Sequence, residues 1–118
     1  MAKENLIIID NYIDITSLHL LKICSPNIKI TICSDNVARN KLTDEQLDDF
    51  RADCGLDVRM KPTNEMVHDR YVVIDYKTNH EIMYHCGPSP KDAGSKIGTI
   101  VQLEKPELYH QIIDSLLI

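Results

Sequence analysis

Short apolar runs alternate along the chain with stretches of helical spacing. Asn5–Asp10 (NLIIID) is a continuous apolar run ended by an aspartate, the pattern of a strand buried on both faces. From Ile13 to Ile23 the spacing turns helical: Ile13, Leu20, Leu21 and Cys24 supply one stripe, and Asp14 or Thr16 can cap its start. Ser25-Pro26-Asn27 breaks the chain before a β-branched strand, Ile28–Cys33, and a polar loop covers 34–42. Thr43 with Gln46 three residues on spells a capping box, for a helix running through Cys54 and stopping at Gly55. Leu56–Pro62 alternates like a half-exposed strand. Arg70–Tyr76 and Glu81–Cys86, separated by the turn-like 77–80, read as a hairpin. Residues 87–96 form a loop and 97–104 a sixth strand. Pro106 suits a first helical turn, and 107–118 closes the chain as an amphipathic helix.

The order β-α-β-α-β, hairpin, strand, helix predicts an α/β fold: a mixed, mostly parallel sheet sandwiched by helices. At 118 residues, with no repeat or linker, the chain is expected to form a single domain over 1–118. It begins almost inside its first strand, so it reads as the end of a longer protein.

Composition narrows the function classes. The 43% apolar share is that of a globular protein, and with no Trp and one Phe the core must be mostly Ile, Leu, Val and Met. A net charge of −5 argues against binding nucleic acid through a broadly basic surface, while leaving room for a local cationic pocket. No apolar run approaches the roughly 20 residues of a spanning helix, and no secretory leader is visible, so no membrane partner is expected. Cys24, Cys33, Cys54 and Cys86 form no C-x-x-C pair. A metal site is therefore not expected, and the four read as reduced, mostly buried thiols of a cytoplasmic protein.

The candidate chemistry lies at strand ends. In open α/β sheets, ligands gather beyond the carboxyl ends of parallel strands. Asp10-Asn11-Tyr12 and Ser34-Asp35 follow the first two strands and are expected on that edge. The hairpin opens with His68 and Arg70, which share a face if extended, and closes with Ser89 and Lys91. Pairing the hairpin strands brings both couples to one end. A histidine among two cations and a hydroxyl is an anion site, best suited to phosphate.

These residues carry a resemblance. His68-x-Arg70-x4-Asp75 resembles the His-x-Lys-x4-Asp signature of the phospholipase D superfamily, with Arg in place of Lys, and Gly87-Pro88-Ser89-Pro90-Lys91 is similar to its phosphate-binding turn. The strand–helix order resembles one half of such an enzyme over nearly the whole chain, in the manner of small bacterial and phage domains attached behind DNA-binding modules. The resemblance implies a metal- and cofactor-independent phosphodiesterase, nuclease-like in its chemistry. One histidine attacks phosphorus to give a phosphohistidine, a second protonates the leaving oxygen, and the cations and turn hold the phosphoryl oxygens. A chain with one motif must dimerise to supply the second histidine. By the same resemblance His68, Arg70, Ser89 and Lys91 are the catalytic group, and Gln102 stands where an acidic residue orients the nucleophile, with Glu104 two residues further. Asp10, Tyr12, Ser34 and Asp75 complete the substrate-binding set. The expected ligand bears phosphate, with nucleic acid among the candidates.

Arg70 keeps the charge of the usual lysine but changes a point donor into a planar fork, Lys91 adds charge where the family uses a neutral donor, and Gln102 lacks a carboxylate. A non-catalytic phosphate-binding or dimerisation module of the same fold is the alternative. Plainer roles also stand open: His68 as a strand-edge histidine, Arg70 as the partner of a surface carboxylate, Asp10 as a strand stop, Asp75 as a hairpin-turn residue and Ser89 as part of a rigid loop. His85, alternating with Met83, reads as structural; His19, His80 and His110 read as solvent-facing.

Overall fold

The computed structural model describes residues 2–24, 27–37, 41–88 and 100–118. Strand β1 (Asn5–Ile9) leads to helix α1 (Ile15–Leu20), which runs on into a 3-10 turn, Leu21–Ile23. Then come β2 (Lys29–Cys33), α2 (Asp44–Cys54), β3 (Asp57–Lys61), β4 (Asp69–Ile74), β5 (Ile82–Pro88) and β6 (Val101–Gln102). A second 3-10 turn, Pro106–Tyr109, enters α3 (His110–Leu117).

The boundaries follow local chemistry. Asp14 caps α1 by accepting from the Ser17 N–H at 3.0 Å. Thr43 and Gln46 close the capping box of α2 reciprocally, each bond 3.1 Å, and Gly55 ends that helix at φ 67°, where a side chain would be strained.

The sheet order is β3-β2-β1-β4-β5-β6. Strands β1, β2 and β3 pair in parallel, whereas β1–β4, β4–β5 and β5–β6 are antiparallel. The sheet is thus mixed, but among the described residues it is not mostly parallel. The reason is topological: no crossover helix stands between β3 and β4, so β4 runs antiparallel beside β1, and β5 returns from it as a hairpin. The hairpin loop is also wider than the four residues expected, because Ile74 lies opposite Ile82 and Asp75–Glu81 stay outside the ladder.

Alternation along the central strands sorts the core into two layers. Leu6 packs with Leu18 of α1, Leu47 and Phe50 of α2, and Ile30, Ile32 and Val58 of the neighbouring strands. Ile7 and Ile9 pack on the other face with Val73, Met83 and α3 residues Ile113 and Leu116. Helices cover both faces, as expected, and full burial of each such side chain is worth about 1.5–3 kcal/mol. Cys33 is buried, but Cys24, Cys54 and Cys86 are only half-buried, fewer hidden thiols than expected. Among the described residues no helix is long and apolar enough to cross a membrane.

Candidate functional site

The carboxyl ends of β1, β2 and β3 meet at one edge and are tied together by polar side chains. The Asp10 N–H donates to the Cys33 carbonyl at 3.0 Å, and the Ser34 N–H to the Lys61 carbonyl at 2.8 Å. Asn11 is the central bracket: its Oδ1 accepts the Asp35 N–H at 2.9 Å and its Nδ2 donates to the Val67 carbonyl at 2.9 Å. Val67 immediately precedes His68, so the end of β1 directly holds the backbone that presents the histidine.

A second device shapes the same approach. Asn64 and Glu65 adopt left-handed φ values of 53° and 61°, each a cost of roughly 1–2 kcal/mol for a residue with a side chain. The Asp35 carboxylate offsets that strain by accepting the N–H groups of Thr63, Asn64 and Glu65 at 2.7–2.8 Å. Burial raises the Asp35 pKa, but these bonds and the Thr63 hydroxyl outweigh it and hold the carboxyl below its usual range. The fully buried Thr63 hydroxyl lies 2.8 Å from Asp35 Oδ2 and 3.0 Å from Asn11 Oδ1.

His68 emerges from this anchored turn exposed, one residue before β4. It lines a cavity of about 280 Å³ between the sheet and α3, with Asp69, Tyr71 and Tyr109. Arg70 takes a different direction: its Nη2 donates to the Cys86 carbonyl at 3.0 Å. Burial raises the Asp10 pKa, and the Arg70 guanidinium partly offsets that rise, so the cation acts on a carboxyl only 7% exposed. His68 lies one residue before β4, so the strand's alternation does not extend to it: it lines the cavity together with Asp69 and Tyr71, while Arg70 is not among the lining residues.

The remaining residues separate into groups. Asp10 and Tyr12 belong with Arg70, since the Tyr12 N–H donates to Asp10 Oδ1 at 2.9 Å. Ser34 is buried on the same edge, where its hydroxyl accepts the Asn36 N–H at 2.9 Å; it lines a different cleft, beside α2. Asp75 sits at the far end of β4. Its carboxylate accepts the N–H groups of Lys3, Glu4 and Asn5, so it pins the start of β1 and does not join His68. Gln102 is exposed and opposite Tyr84, which itself pairs with Val72; this leaves it two strands over and several residues along from His68. Gly87 turns the chain at φ 76° as β5 closes, and Ser89 and Lys91 lie outside the described residues.

Of the other histidines, His85 has a supporting role of the structural kind expected, and His110 differs from its expected one. His85 bonds Asp69 at 2.9 Å and stacks at 5.0 Å on Tyr71, so it supports the cavity lip beside His68. His110 is not solvent-facing but held between both oxygens of Glu81 at 2.7 and 2.9 Å. Asp35 was expected on the edge where the parallel strands end; the residues that sequence reasoning did not assign to the site are Thr63, Asp69, His85 and Tyr109. Asp69 and His85 were findable, for they occupy alternating positions on paired strands; Tyr109 comes from a distant element and carries no such signal. Among the described residues no group of three or more His, Cys, Asp or Glu side chains is placed to hold a metal ion. Comparison with protein-family models, curated proteins and solved structures found no match.

Proposed function

We propose that the chain is a phospholipase D-like module that engages a phosphate ester at His68, and that it acts as a metal-independent phosphodiesterase in a homodimer. The observation that carries this reading is an exposed imidazole on a strained, three-amide-anchored turn, at the edge where the parallel strands end. Backbone strain held beside an exposed nucleophile is characteristic of functional sites. The β-α-β-α-β-hairpin-strand-helix order supports the family reading, and four free thiols support a cytoplasmic setting. In the reaction, the imidazole nitrogen of His68 bonds to phosphorus and the ester P–O bond breaks. The leaving oxygen takes a proton from the histidine of the second copy, and water then cleaves the phosphohistidine.

One observation favours the non-catalytic alternative. Arg70 already bonds the Cys86 carbonyl and faces the charge of Asp10, so part of its fork is committed within the fold. The deciding experiment is hydrolysis of bis(4-nitrophenyl) phosphate in EDTA by wild type and His68→Ala, with trapping of acid-labile phosphohistidine. Turnover and trapping that vanish in His68→Ala are expected. If both proteins are inert while wild type still binds phosphate, the module is a binding domain. Light scattering should find a dimer; a monomer at high concentration removes the second histidine and with it the mechanism.

A further inference from the structure

The cavity beside His68 has a character that phosphate binding does not explain. Its floor is apolar, with Met83 and Ile113 each 2% exposed, and its walls include Tyr71 and Tyr109, whose ring centroids lie 6.3 Å apart. Tyr71 also packs against His85, ring centroids 5.0 Å apart, which supports its ring as a wall. At the lip stands one carboxylate, Asp69, 45% exposed at its side chain and oriented by the 2.9 Å bond from His85. A carboxylate has about four lone-pair sites, so this bond uses only a fraction of its accepting capacity.

Each feature restricts the occupant. A volume of about 280 Å³ falls just under the roughly 300–1,000 Å³ of small-molecule sites, which suits one ring system better than an acyl chain. Aromatic walls favour a flat π-system. Asp69 repels a second anion and rewards N–H donors. The net charge of −5 disfavours a long polyanion. We propose that this cavity is a nucleobase subsite: it takes the heterocycle of a nucleotide or single-stranded end, with ring N–H donors on Asp69 and the ring packed against the wall of Tyr71 and Tyr109 and the apolar floor. This names the substrate class of the phosphate-ester reading and rests on it only for the phosphate. Bases are held elsewhere by the same combination of stacking and edge hydrogen bonds.

The test titrates the full chain with guanosine, which offers the ring alone, ribose 5-phosphate, which offers the phosphate alone, and guanosine 5′-monophosphate, which offers both. The nucleotide should bind about ten- to hundredfold more tightly than ribose 5-phosphate, the range that base stacking supplies. On wild type, guanosine should shift the methyl resonances of Met66 and Met83 through its ring current. Ile112, 49% exposed at the cavity, tolerates a larger side chain; Ile112→Trp should fill the space and remove guanosine binding while leaving ribose 5-phosphate unchanged. Undetectable guanosine binding with unmoved methionine methyls overturns the subsite, as does guanosine affinity unaltered by Ile112→Trp. If guanosine binds but ribose 5-phosphate does not, and the nucleotide binds no better than guanosine, the subsite stands and the phosphate reading fails.

Discussion

Strand β4 has a three-amide carboxylate at each end, and the two do opposite work. Asp75, 3% exposed, follows its last residue and accepts the N–H groups of Lys3, Glu4 and Asn5. Asp35, half-buried, anchors the turn that leads into its first residue by accepting from Thr63, Asn64 and Glu65. The electrostatics match: in both, burial raises the pKa and backbone bonds more than reverse it. The surroundings differ. Around Asp75 the polar groups are consumed by the fold: Glu81 takes His110, and Asp114 takes Lys77 at 2.7 Å and lies 2.8 Å from the Tyr76 hydroxyl. Around Asp35 the held backbone is strained and delivers an exposed histidine to an apolar cavity. A carboxylate nest by itself therefore says nothing of function; what it holds, and whether that faces a cavity, decides.

The comparison breaks if the two ends respond alike. Asp75→Ala should be the most destabilising change, by about 2–3 kcal/mol, because three amides lose their acceptor and Asp75 itself sits at φ 54°, where alanine is strained. Urea unfolding measures this, and guanosine or phosphate binding by the folded fraction should be unchanged. Asp35→Ala should cost less, about 1–2 kcal/mol, since release of the Asn64–Glu65 strain returns part of the loss, yet it should weaken ligand binding at His68 at least as much as His68→Ala does. Equal stability losses with binding intact in both would remove the distinction.

Acid sharpens it. The depressed pKa values of Asp35 and Asp75 mean that their stabilisation is fully present above the ordinary carboxyl value of 3.8 and is lost as pH falls below it, through their folded values. Asp10 has the opposite sign: its raised pKa makes its charged form a burden at neutral pH, relieved as pH falls through the folded value toward 3.8. Urea midpoints collected from neutral pH down to about pH 2 should therefore fall less steeply in Asp75→Asn than in wild type. Asp10→Asn should instead fall more steeply, because the relief has been removed. The smallest effect belongs to Lys77→Met: this ion pair is half-exposed on both sides, and the unfolding midpoint should stay within experimental error.

Thiol chemistry offers a separate check on the core. Cys33 is fully buried, and burial pushes its thiol up to about 11 despite the Lys61 charge. At neutral pH it should be the slowest of the four cysteines toward an aromatic disulfide reagent, followed by mass spectrometry of the labelled peptides.

Much of this protein is written locally and could be read without coordinates. The capping box at Thr43 and Gln46, the stop at Gly55 and the α/β alternation are decided by neighbours three or four residues apart, within reach of a sequence pattern. The two-sided burial of β1 follows from an unbroken apolar run. The meeting of Asp10-Asn11 with Ser34-Asp35 follows from parallel pairing, because the carboxyl ends of consecutive parallel strands must lie side by side.

What tertiary structure decided is of another kind. Whether β4 continued the parallel set depended on the lack of a crossover helix and on its pairing with β1, and that placed half the sheet antiparallel. Asp75 was equally a turn residue or a site residue until the N-terminal amides, some seventy positions away in sequence, closed on its carboxylate. His68 fell one residue outside β4 and lines the cavity, whereas Arg70 lies inside the strand and donates to the Cys86 carbonyl, a boundary that the spacing of the two residues does not record. Such choices depend on which distant backbone groups reach a side chain first. Buried N–H groups and carboxylates must find partners wherever the fold brings them, and local spacing carries no record of that search.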